Sequence, residues 1–206
     1  MAIFDHTNTD LQCIPIMQQL REATADAHAA IENTPIMQSL LHGNLSRPHY
    51  ISLLQRLHAF HKPLENKVDH YLHGSDLYLI WSVRHKSVWL EEDIHFFKQK
   101  TISSFSFNCL PNILSIPDLM GCIYVLEGAT LGALVIRKLL IEHYGYESNS
   151  GGRYYTAYGT ATQNFWKQTS ELINTTVTAE HDKKACVCSA QKTFLMYSNA
   201  MTSYDF

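Results

Sequence analysis

Apolar residues return at helical spacing along most of this 206-residue chain, while turn dipeptides flanked by alternating apolar positions, the signature of hairpins, are nearly absent. That pattern restricts the chain to an all-α bundle. End signals divide it into segments. A first helix is expected over residues 15–33, and Thr34-Pro35 reads as N-cap and first position of a short second helix closed by Gly43. Ser46 starts a third that ends at Gly74, with Pro63 expected to kink it because proline donates no backbone hydrogen bond. A fourth is expected over 77–100, followed by a connection at 101–114. Pro117 opens a strongly apolar helix running to Tyr144. After a Gly- and Tyr-rich loop at 145–159, Thr160-Ala-Thr-Gln163 fits a capping box that starts another helix, and a last one occupies 183–202.

With 46% hydrophobic and 17% charged residues, the chain supports one domain over 1–206, with 1–14 expected to be peripheral or poorly ordered. Sixteen Lys and Arg against nineteen Asp and Glu give a net charge of -3, which excludes the broad basic surface of a generic nucleic-acid binder. No basic leader precedes an apolar run, and no stretch of ~20 uninterrupted apolar residues marks a membrane span. A soluble, cytoplasmic protein is expected. Five cysteines (Cys13, Cys109, Cys122, Cys186, Cys188) are an odd number without CxxC spacing, against both a disulfide framework and a structural zinc site. Cys186 and Cys188 read as ordinary reduced thiols.

Chemistry enters at LREATADAHAAIEN, residues 20–33. Leu20, Thr24, Ala27 and Ile31 form an apolar stripe, and His28 falls within it, so the ring is expected to face inward. For a lone histidine a hydrogen-bonded place in the core is the usual explanation. Here Ala23, Ala25, Ala27, Ala29 and Ala30 keep the surroundings small enough for a broad flat ligand. Arg21 lies seven residues earlier, about 10 Å along the same face. Glu32, four residues later, can fix the tautomer of a ligating ring through its second nitrogen.

LREATADAHAAIEN together with PIMQSLLHGNLSRPHYISLLQRLHAF resembles the N-terminal region of the haem oxygenase family, most closely its bacterial biliverdin-forming branch. The family pattern of Glu-Ala-Thr, a histidine four residues after the threonine and a glutamate four further on is met by Glu22-Ala23-Thr24, His28 and Glu32. The resemblance implies a single-domain helical bundle with haem sandwiched between a proximal N-terminal helix and a kinked distal helix. It implies that His28 is the proximal haem ligand and that Arg21 meets a propionate.

The apolar segment from Pro117 carries Gly121, Gly128 and Gly132, and each interior glycine costs on the order of 1 kcal/mol relative to alanine. By spacing alone, Gly128 and Gly132 read as a small-xxx-small helix-packing pair. YVLEGATLGALVIRKLL, however, resembles the family's distal helix. That implies that Gly128 and Gly132 lie over the haem as catalytic positions, with Tyr124 and Ala129 among the cofactor-binding residues. Ala129 replaces the aspartate that animal-type members use to organise water. Ala133 stands where many members have a second adjacent glycine, and its methyl is expected to narrow the distal pocket. The run RYYTAYGTATQNFWK resembles the bacterial branch's Tyr-Gly loop and following helix, which implies that Lys167 is a second propionate partner; without the resemblance Trp166 is core and Lys167 a solvated charge.

The implied activity is oxidative opening of haem, both substrate and cofactor, to biliverdin with release of carbon monoxide and ferrous iron, using O2. The chain has no GxGxxG loop or cysteine cluster for an electron-carrying cofactor, so an external donor, a ferredoxin, flavodoxin or reductase, is implied. Two alternatives remain. One is non-catalytic haem storage, delivery or sensing on the same fold. The other is a di-iron carboxylate bundle, suggested by Glu92-x-x-His95, although such a site needs two of these motifs and one is found. His58/His61 and His70/His73 repeat the i, i+3 spacing but read as solvated faces.

Overall fold

The computed structural model describes residues 14–101 and 110–202, and among them every regular element is helical. In chain order the helices are α1 (Ile16–Glu32), α2 (Pro35–Leu41), α3 (Arg47–Leu72), α4 (Asp76–Trp81), α5 (Lys86–Phe96), α6 (Ile116–Tyr144), α7 (Arg153–Thr156), α8 (Thr162–Thr176) and α9 (Glu180–Thr202). Residues 1–13 of the expected peripheral segment and 102–109 of the expected connection lie outside the described residues.

The apolar α6 is the axis of the bundle, packed along α9 and α8; α1 lies on α9, and α3 packs on α5 and α9. Both ends of α6 are fixed by local chemistry. The Ser115 hydroxyl accepts from Asp118 N at 3.3 Å and donates to the Asp118 carboxylate at 2.8 Å. At the other end Gly145, at φ 68°, lets its own amide and that of Tyr146 return to Ile141 O and Leu140 O. By length and composition α6 could cross a bilayer, but most of its apolar stretch is buried inside the bundle. Leu20, Thr24 and Ile31 bury the inner stripe of α1, and α3 runs unbroken through Pro63.

Two boundaries differ from expectation, each for a visible reason. The single helix expected over 77–100 is divided at an extended His85, because the buried Glu65 carboxylate accepts the amides of Lys86 at 2.7 Å and Ser87 at 3.2 Å and so starts α5 afresh. The capping box at Thr160 does not form. A 3-10 turn over Gly159–Ala161 precedes α8, whose N-cap position is Ala161, and Thr162 returns its hydroxyl to Gly159 O at 2.9 Å. Within the 145–159 loop, the buried Asp93 receives the amides of Arg153 and Tyr154 at 2.7 and 2.8 Å and thereby organises the short α7.

Candidate functional site

The stripe on α1 is buried, but His28 is not part of the buried face: its side chain is 60% exposed. The expectation that it faces inward is therefore corrected. Its neighbours at Thr24 and Ile31 take the core, and the ring stands at the stripe's edge with Phe194 of α9 edge-on at 6.1 Å. Nδ1 lies 3.5 Å from the Glu32 carboxylate, the one-turn relation expected from the spacing, and Nε2 has no hydrogen-bond partner among the described residues. Gln191 of α9 donates to Ala23 O at 3.1 Å and ties this part of α1 to the bundle.

Helices α1 and α6 meet where Arg21 and Thr24 adjoin Tyr124. Burial pushes the Tyr124 phenol above its usual range, while the adjacent Thr24 hydroxyl and the Arg21 charge pull the other way, so the phenol stays protonated at neutral pH. One turn beyond Thr24 on α1 is His28; one and two turns beyond Tyr124 on α6 are Gly128 and Gly132. A Cβ at Gly128 would touch only the Trp166 ring at 3.7 Å, and one at Gly132 would have nothing within 4 Å. No protein neighbour requires either glycine to be small. Gly121 is the packing glycine instead, since a Cβ there would fall 2.3 Å from Cys186 O and 2.8 Å from Ala190 N of α9. Helix packing, the reading that spacing alone suggests for Gly128 and Gly132, belongs seven residues earlier.

The other expected residues divide. Ala129 is half-buried beside Gly128. Ala133 is buried in the core, one residue and about 100° round the helix from Gly132, so its methyl does not narrow the glycine face. Trp166 is half-buried, its ring 5.7 Å from that of Tyr124. Lys167 is 74% exposed and pairs at 3.8 Å with Glu171 of its own helix. The di-iron alternative finds no support: Glu92 and His95 lie exposed on α5, and among the described residues no three His, Cys, Asp or Glu side chains gather where a metal could sit. Cys122, Cys186 and Cys188 are free thiols, burial pushing Cys186 up to about 12.

Sequence reasoning missed a buried polar system about 100° round α6 from Gly128. Glu127 is fully buried and binds Lys86 Nζ closely, Arg84 Nη1 at 3.2 Å and the Tyr158 hydroxyl at 3.0 Å. Arg84 also donates to Thr169 at 2.8 Å and Gln168 at 3.1 Å. Burial, then the Glu127 charge, raises the Tyr158 phenol far above its usual range, which keeps it a donor. Beyond Lys86, His61 is wholly buried with Nε2 3.1 Å from the Tyr154 hydroxyl and Nδ1 3.7 Å from Glu65, too long for a hydrogen bond. Burial first, then the Lys86 and His58 charges, holds His61 well below the usual histidine range. The solvated-face reading of His58/His61 is thus overturned, for His58 too is buried, 3.0 Å from Glu91; His70 and His73 are exposed as expected. A lone acid inside IYVLEGATLGALVI was the available signal for Glu127.

Comparison with known proteins completes the description. The "Heme oxygenase" family model matches residues 15–203. No curated protein sequence matches. The fold is similar to haem oxygenase from Neisseria meningitidis, solved with NO and CO bound, at 18% identity over 93% of this chain and 92% of that one, with a TM-score of 0.74. It is similar to haem oxygenase-1 of the cyanobacterium Synechocystis sp. PCC 6803 in complex with haem, at 16% identity over 92% of each chain and a TM-score of 0.70. It is also similar to a domain of unknown function with a haem oxygenase-like fold from Shewanella denitrificans, at 11% identity over 92% and 91% of the chains and a TM-score of 0.70.

Proposed function

Starting from the fact that the chain belongs to the haem oxygenase family, we propose that it is a haem oxygenase, binding haem between His28 on α1 and the glycine face of α6 and opening it to biliverdin. One observation carries the reading: a ring nitrogen without a partner, on an exposed histidine, accompanies a helix face from which side chains are missing for no packing reason. A bound haem would supply an iron that activates O2 and a porphyrin that is itself the substrate, with carbon monoxide and ferrous iron released and electrons drawn from an external donor protein.

The residues then have defined tasks. His28 Nε2 ligates, and Glu32 orients the ring through Nδ1, as outer carboxylates do for ligating histidines. Arg21, exposed on the same face of α1, offers a cation to a propionate; Lys167, already engaged with Glu171, is the secondary candidate. Gly128 and Gly132 leave room for a flat ligand to lie against backbone, with the Trp166 ring beside Gly128 limiting sideways movement. At Ala129 no carboxylate is available to hold a proton. The hydroxyl of Tyr124, kept protonated by burial, is a nearby donor on the same helix face.

Reconstitution with haemin tests this directly. Given a reductant and O2, the complex should lose its Soret band and gain biliverdin absorption. Haem binding without turnover would select the second reading, storage or delivery on the same fold, with which the alanine at position 129 is compatible. The isomer of any biliverdin formed reports how the haem is rotated in its site.

A further inference from the structure

Away from α1, a cavity of about 370 Å³ opens where the end of α3, α4, the start of α6 and α8 converge. That volume lies within the range of about 300–1,000 Å³ usual for small-molecule sites. Its walls are largely apolar, with Leu77, Ile80 and Trp81 on one side and Ile123 and Leu172 on the other. It is separate from the proposed haem site. Helix α6 turns Leu119, Met120 and Ile123 towards it, and neither Tyr124, Gly128 nor any residue of α1 lines it.

Arg84 supplies the polar end. It lines the cavity, is buried, and commits its Nη atoms to Glu127, Thr169 and Gln168, while its Nε–H has no acceptor. The Nε–H is sealed off from the cavity as well as unpartnered, so a bound molecule does not reach it. The Arg84 charge is already answered by Glu127, so the cavity offers no spare positive charge. Glu171, exposed on α8, adds negative charge to the lining. Both features disfavour an anion. Around α4 and the turn that follows, Leu79, Ile80 and Val83 are 74%, 53% and 65% exposed, giving an apolar ligand a matching approach.

We infer that this cavity is a second binding site, which takes an uncharged, mainly apolar small molecule such as a medium-chain ketone or ester. Calorimetric titration of the haem-free protein with medium-chain methyl ketones, and with alkanoates of equal length, tests it. The expected result is saturable one-to-one ketone binding, with the alkanoate at least tenfold weaker. Leu172→Trp fills the cavity and should weaken ketone binding at least tenfold while leaving the haemin titration unchanged. Ile80→Trp, at the exposed rim, should act in the same direction with no burden on folding. The inference is overturned if no ketone saturates the protein, if both tryptophan variants bind as the parent does, if one equivalent of haemin displaces the ketone, or if the alkanoate binds equally well.

Discussion

Glu127 and Gly128 are neighbours in sequence and opposites in surroundings. Glu127 is sealed in the bundle with two cations and a phenol around its carboxylate, whereas Gly128 meets one aromatic edge and then open space. One residue of α6, about 100° of rotation, separates a closed ionic core from an open face. The contrast shows how the distal helix is held. Its inner side is fixed by charge and hydrogen bonds, which leaves the outer side free to present bare backbone. Fixing one side this way is energetically delicate, since a buried ion pair stabilises only while every partner is present.

The largest effect is therefore expected inside. Lys86→Met removes one cation from Glu127 and should lower unfolding free energy by about 3–5 kcal/mol, measured by urea titration. A loss under 1 kcal/mol would show that Arg84 and Tyr158 suffice and that the ionic core is not what anchors α6.

Next come the two kinds of glycine. Gly121→Ala forces a methyl into the backbone of α9 and should destabilise by roughly 1–3 kcal/mol. Gly132→Ala meets nothing and should stabilise by up to about 1 kcal/mol through helix propensity, yet weaken haem binding or slow turnover. Equal effects in the two variants would erase the distinction drawn between packing glycine and ligand-facing glycine.

The pH dependence is smaller and has a defined sign. Folding holds His61 below its ordinary range, so its contribution is complete above the unfolded histidine value near 6.5 and is lost as pH falls, when the unfolded chain takes up a proton that the native state refuses. Asp93 works in the opposite sense. Burial raises it to about 6 against its two amide hydrogen bonds, so its contribution is present at low pH and lost as pH rises through 6. The stability difference between the parent and His61→Gln should move to the parent's disadvantage as pH falls below 6.5, its slope rising toward a limit of about 1.4 kcal/mol per unit. A pH-independent difference would mean that His61 titrates alike in both states.

The smallest stability change is expected at the proposed haem ligand. His28→Ala, at an exposed position, should alter unfolding free energy by no more than about 0.5 kcal/mol while abolishing the histidine-ligated spectrum of the haem complex and turnover with it. An unchanged spectrum would name a different ligand.

Much of this was legible in advance, and the failures are instructive. Thr34-Pro35, Ser46, Pro117 and the Gly145 end of α6 mark helix limits because capping chemistry acts within a turn. The wrong boundary at residues 77–100 came from Glu65, a carboxylate 21 positions from the amide it caps, a relation no local pattern contains. His58 and His61 were misread because polarity suggested solvent, while Glu91 and Tyr154 supply partners in the interior. His28 was placed on the correct stripe but on the wrong side of its edge.

The sequence by itself determined an all-helical chain, the ends of most helices, and three glycines on the apolar α6, because periodicity and capping depend on residues a few positions apart. Tertiary structure decided which glycine packs and which lie bare, that His28 is open rather than buried, and that Glu127 gathers Arg84, Lys86 and Tyr158 from 31 to 43 positions away. Helical period fixes the angle at which a side chain leaves its own helix; what it meets there depends on how the other helices come to lie against it.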